Sequence, residues 1–195
     1  DTNMAALQGY TIKLYKELEE ITGMSCGLHH VGGVTLADNK DRFDMLVAER
    51  AKHRYMGLET EIVSPEEIAK IAPITNLDGI VGGLYDPLDG HLDPSGTTHA
   101  YAKAARLGGA EIVPHCKVTA TTQRADGTWD VVTDTNGTRG TIHTENIVNA
   151  GGLWAREVAA MAGHYAPLLP MEHQYIITDD VPEIYDRDTE HPHVM

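Results

Sequence analysis

Apolar positions near the start of the chain, Met4, Leu7, Leu14, Leu18 and Ile21, fall at three- and four-residue steps and their multiples, and Gly23 closes the run. The pattern predicts an amphipathic helix of about five turns, with Asp1-Thr2-Asn3 as its N-cap region. Gly27 to Ala37 reads as a strand, with Gly32-Gly33 marking a bulge or a close backbone contact. Asp41 to Met56 is a charge-rich, largely solvated helix. Ser64-Pro65-Glu66-Glu67 is a capping box with proline at the first helical position, opening a short helix that ends near Pro73. Ile80 to Asp93 begins as a strand and ends as a turn-rich loop. Asp93 then caps a helix that starts at Pro94 and stops at Gly108-Gly109, and a strand is expected over Ala110 to Pro114.

The pattern next changes to period two. Val118 to Thr122, Thr128 to Thr133 and Gly140 to Thr144 are separated by Asp126-Gly127 and Asn136-Gly137, two strong hairpin signals. They predict a small antiparallel meander. It leads into Glu145 to Gly163, where Ile147 and Val148 suit a strand end and Asn149-Ala150-Gly151-Gly152 forms a turn of small residues. Trp154, Val158 and Met161 follow at helical spacing. A strand, a glycine turn and a helix N-terminus can hold an anion through unpaired N–H groups and the helix dipole. The same stretch also reads as an ordinary strand-to-helix connection. Leu168 to Thr178 is expected to be a further strand, whose alternation puts His173 and Tyr175 on one face. The acidic residues after Asp179 predict no element.

Composition adds limits. The chain has 195 residues, 42% of them hydrophobic, which suffices for a sizeable core. Its net charge of −14, from 29 acidic residues against 15 Lys and Arg, argues against nucleic acid as a partner. No apolar run has the length of a membrane span, so no membrane partner is expected. Cys26 and Cys116 fit neither a C-x-x-C motif nor a disulfide framework, which points to a reducing compartment. Asp86, Asp89, His91 and Asp93 invite a metal reading, but their spacing does not match a calcium loop. His29 and His30 are adjacent and would face opposite ways in a strand, so no metal site is assigned. G-x-G-x-x-G, Walker, G-x-S-x-G and H-E-x-x-H motifs do not occur. From the residues alone the chain is an α/β domain with a candidate anion-binding turn.

The order of segments is more specific than any one of them. G-G-L-Y-D-P-L-D-G-H-L-D-P, a helix, G-G-A-E-I, C-K-V, a β-meander, N-A-G-G-L-W-A-R-E-V and P-M-E-H-Q-Y together resemble the FAD-dependent amine oxidoreductases of the D-amino-acid oxidase superfamily. Within it the similarity is to dimethylglycine and sarcosine dehydrogenases. The resemblance implies a mixed α/β fold in which an FAD-binding subdomain is interleaved with a substrate subdomain built on an antiparallel or mixed sheet. Residues 1–93 and 165–195 would then be substrate-side and 94–164 flavin-side. It implies that the dinucleotide βαβ unit lies upstream, so the chain reads as an excised piece of a longer protein. A tetrahydrofolate-binding region would lie downstream.

The resemblance further implies that Val118 meets the adenine of FAD, and that Asn149, Ala150, Gly151, Gly152 and Trp154 pack along the cofactor. His173 and Tyr175 are the substrate-side candidates, because an imidazole can move a proton near neutral pH and a phenol can hydrogen-bond an amine or carboxylate. The implied reaction is oxidative demethylation of an N-methyl amino acid by hydride transfer to flavin, with an electron-transfer flavoprotein as partner. A non-catalytic regulatory homologue and a sibling glycine or secondary-amine oxidase are the alternatives. A cytoplasmic location is expected, or the mitochondrial matrix in a eukaryote.

Overall fold

The computed structural model describes residues 2–195, so the N-cap role expected of Asp1 lies outside the described residues. Helix α1 spans Thr2–Thr22 and stops where Gly23 turns to φ +63°. Only part of its apolar stripe is used. Leu18 is buried with Cys26 and Ala100, and Leu14 packs on them, whereas Met4, Leu7 and Ile21 stay exposed. Helix α2 (Lys40–Tyr55) is capped by the Asn39 side chain, and the capping box at Ser64 opens α3 (Pro65–Ile71) as the sequence predicts. Asp93 accepts from the amides of Ser95 and Gly96 to start α4 (Pro94–Leu107).

Four strands make a mixed sheet: β1 (Gly33–Ala37), β2 (Glu61–Val63), β3 (Gly82–Asp86) and β7 (His193–Val194), in the order β2-β3-β1-β7. β3 pairs antiparallel with β1 and β2, whereas β7 runs parallel to β1. Alternation buries both faces of this sheet. Val34 and Val63 on one face pack on Ile68 of α3, and Ala37 and Leu84 on the other pack on Leu46 of α2. The helices are therefore fixed as covers by the period of the strands.

The second sheet is the expected antiparallel meander of β4 (Cys116–Gln123), β5 (Trp129–Thr135) and β6 (Thr138–Thr144). Asn136 and Gly137 both adopt positive φ, as a two-residue hairpin turn requires. After it come a 3-10 turn at Gly152–Trp154, α5 (Ala155–Met161) and α6 (Pro182–Tyr185).

Five expectations need correction. The first predicted strand begins at Gly33 rather than Gly27, because Gly27 and Gly32 sit at φ +58° and +75° and break the extended run; only His29 forms an isolated bridge. Residues 110–114, 147–148 and 168–178 are irregular rather than strands. A strand exists only through a neighbour's hydrogen-bond ladder, and none of the described strands pairs with these runs. Last, the acidic tail supplies α6 and β7, and β2 also escaped the sequence pattern.

The chain divides into two compact units, residues 1–110 with 178–195, and residues 111–177. The second unit is thus inserted between two parts of the first. Every buried hydrophobic residue among those described lies in the first unit. In the second, Val148, Trp154, Leu169, Met171 and Tyr175 are exposed.

Candidate functional site

The second unit holds a cavity of about 350 Å³ whose lining includes Thr121 and Trp129 of the meander, Ile147 and Asn149 of the connection, Val158 of α5 and Ala162 just after that helix. The small side chains of Ala159 and of Ala162, which caps the end of α5, lie three apart and leave room beside the sheet. The Thr121 hydroxyl oxygen is buried with no hydrogen-bond partner among the described residues. An unsatisfied hydroxyl of this kind costs about 1–3 kcal/mol, so it marks a place where a polar group is expected.

The turn beside the cavity is locked by one side chain. Asn149 Oδ1 accepts from the amide of Gly151 at 3.1 Å, and its Nδ2 donates to the carbonyl of Ala155 at 2.8 Å. Gly151 keeps an ordinary φ of −73°, but a Cβ there would lie 3.1 Å from Asn149 Oδ1 and 3.2 Å from the Ala155 backbone. Gly152 is the reverse case, at φ +53° with open space around it. Since the Gly151 amide is already engaged and α5 has only seven residues, the anion reading of this turn finds few free donors. Val118 on β4 is half-buried, and the pairing of β4 with β5 slips between Val118 and Ala120. Such an irregularity releases backbone groups from the ladder for another partner. At the other end of the meander, His143 and then Arg124 hold the Asp130 carboxyl below the usual carboxylate range by hydrogen bonding.

All eight sequence-derived site residues fall in this unit. Asn149, Gly151 and Gly152 build the turn, and β4, which carries Val118, packs against α5. Ala150 and Trp154 are exposed, Trp154 to 69%. His173 and Tyr175 lie in irregular, exposed chain, with no hydrogen bond from either side chain among the described residues. The alternation that paired them therefore does not operate here.

Comparison with known proteins fits this arrangement. The sequence profile of the family described as DAO, FAD dependent oxidoreductase, matches residues 1–194. The chain belongs to this family. Dimethylglycine dehydrogenase of Rattus norvegicus, a mitochondrial protein, is 40% identical over 182 residues, which is 93% of this chain and 21% of that protein. Human mitochondrial sarcosine dehydrogenase is 35% identical over 188 residues, or 89% of this chain and 20% of its own. Among solved structures, an L-proline dehydrogenase from P. horikoshii superposes with a TM-score of 0.71 at 26% identity, covering 80% of this chain and 40% of that one. The chain thus spans about a fifth of the length of these curated relatives. No helix of the described residues is long and apolar enough to cross a membrane.

The residues present fit part of FAD. The cavity has the size and apolar lining for one ring system, the orphaned Thr121 hydroxyl awaits a polar partner, and the exposed indole of Trp154 offers apolar area and one N–H donor. A pyrophosphate cradle is not among the described residues, in keeping with a sequence without G-x-G-x-x-G. Sequence reasoning did not find Thr121, Ala159 or Ala162. The spacing of the two alanines was a usable signal of close approach, whereas nothing distinguishes Thr121 from the other threonines of its strand.

Proposed function

We propose that the protein containing this chain oxidatively demethylates an N-methyl amino acid, dimethylglycine or sarcosine. The observation that carries this reading is the 40% and 35% identity to the two dehydrogenases over nearly the whole chain. Bound FAD supplies the hydride acceptor. This chain's part is to bind and orient. Val118 contributes backbone at the irregular step of β4, Asn149 holds the Gly151-Gly152 turn in shape, and Trp154 covers an apolar face of the cofactor. Residues 94–164 are the flavin side on this reading, and residues 1–93 and 165–195, which carry the mixed sheet, are the substrate side. His173 and Tyr175 are assigned to the substrate: Tyr175 as a hydrogen-bond donor to amine or carboxylate, His173 as the group that takes the amine proton. Their exposed segment, with Leu169, Met171, Ile176 and Ile177 each at least 80% exposed, suits a surface that other parts of a longer protein cover.

An electron-transfer flavoprotein is the assigned acceptor of the electrons, and the assigned location is the cytoplasm, or the mitochondrial matrix in a eukaryote. The full-length protein is expected to show a flavin absorbance spectrum that bleaches anaerobically on addition of dimethylglycine or sarcosine. A flavin spectrum that neither amine bleaches would overturn the substrate assignment. A protein without flavin would favour a regulatory homologue instead.

A further inference from the structure

The chain brings together a set of metal-ligating side chains that no sequence spacing announces. We propose that His29, His91 and Glu190, with His193 beside them, bind a divalent transition-metal ion of the Zn2+ type. The proposal concerns the first unit only and does not depend on the substrate reading.

The placement follows from the backbone. His29 and His91 form an isolated antiparallel bridge and exchange both hydrogen bonds, His29 N to His91 O at 2.9 Å and His91 N to His29 O at 3.1 Å. Directly opposed residues of an antiparallel pair send their side chains to the same face. The two rings accordingly stack, with centroids 4.9 Å apart and planes within 8°. β7 then lies parallel to β1, and the ring of His193 stacks on His91 with centroids 5.5 Å apart. His193 Nε2 is 3.3 Å from His91 Nδ1. Glu190, three residues earlier, places Oε2 at 2.8 Å from His29 Nδ1. One donor atom from each of His29, His91 and Glu190 lies within 4.8 Å of the others.

Zinc ligands at about 2.0–2.2 Å from the ion sit about 3.3–3.6 Å apart in a tetrahedron, so rotation of these exposed side chains by roughly 1 Å closes the set. Imidazole nitrogens with one carboxylate suit Zn2+, Ni2+ or Cu2+, and are the wrong donors for Ca2+ or Mg2+. Glu190 and His91 also line a cleft of about 390 Å³, which admits an ion from solvent. Neighbouring candidates are engaged elsewhere. His30 turns away to the Leu88 carbonyl, His191 meets the Arg187 guanidinium, and Asp86, Asp89 and Asp93 accept from backbone amides. Such an ion would tie the returning segment 178–195 to the bridge at its base.

The test is titration of the full-length, EDTA-stripped protein with ZnCl2 by calorimetry, with Co2+ absorption bands as a second readout of imidazole ligation. One stoichiometric site is expected. His91→Asn and Glu190→Gln are expected to weaken it by at least about 10-fold, while His30→Asn leaves it intact. Zn2+ is expected to raise the melting temperature of the wild type and not of His91→Asn. Should His91→Asn fail to fold, Glu190→Gln, which alters one exposed carboxylate, carries the comparison. No stoichiometric binding, or binding that Glu190→Gln leaves unchanged, would overturn the proposal. Flavin content and flavin reduction are read separately, so failure here is distinguishable from failure of the substrate assignment.

Discussion

At the scale of single residues, the two glycines of the turn separate two kinds of constraint. Gly152→Ala meets no atom but must hold φ +53°, and is expected to cost about 1–2 kcal/mol. Gly151→Val has an allowed φ but pushes on Asn149 and the Ala155 backbone, so it deforms the turn itself. In the full-length protein it is expected to lower bound flavin per chain more than it lowers the melting temperature of the apoprotein. Asn149→Ala removes two hydrogen bonds and is expected to cost about 1–2 kcal/mol, measured by denaturant midpoint. Asp130 gives a pH dependence. Its folded carboxyl holds a proton less tightly than an unfolded one, chiefly through His143. Its contribution is therefore complete above the ordinary carboxylate range and fades as pH falls through about 4 and below. Melting temperatures from about pH 6 to pH 3 are expected to fall less steeply in Asp130→Asn than in the wild type.

At the scale of elements, what the sequence predicted well was local. The capping box at Ser64, the Asp93 cap, Gly23 as a stop and the two hairpin turns each act through backbone groups a few residues apart. Ser64→Ala is accordingly expected to cost about 1 kcal/mol, read by thermal denaturation, whatever surrounds the helix. Elements that depend on a distant partner were predicted poorly. Residues 110–114 and 168–178 carry strand-like composition without a neighbouring ladder, while β7, two residues in an acidic tail, forms because β1 presents a free edge to it. The same rule separates the site residues. The Asn149 turn makes its own hydrogen bonds within six residues, whereas pairing His173 with Tyr175 required a strand that is not formed.

At the scale of the whole molecule, the second unit buries only Thr121 and Thr133 among its described residues and exposes a run of large apolar side chains. A surface of that kind marks a place for a partner, a ligand or another part of the same protein. The isolated 195-residue chain is expected to bind FAD weakly or not at all, since its sequence lacks the G-x-G-x-x-G motif that cradles a pyrophosphate. A yellow protein that keeps one FAD per chain through dialysis would refute this. In the first unit the core is complete enough that Leu46→Ala is expected to cost about 2–5 kcal/mol in a denaturant titration.

The sequence by itself determined the helices with their caps, the meander with its turns and, through the order of its motifs, the flavoenzyme family. Those features are written in neighbouring residues or in a linear order, so no packing is needed to read them. Only the tertiary structure decided which apolar runs become strands, where the two units divide, and which hydroxyl is left unpaired in the cavity. It alone joined His29 to His91 across 62 positions and brought the tail's Glu190 to them. Long-range pairing depends on which backbone edge is free once the rest has folded, and a sequence pattern carries no record of that edge.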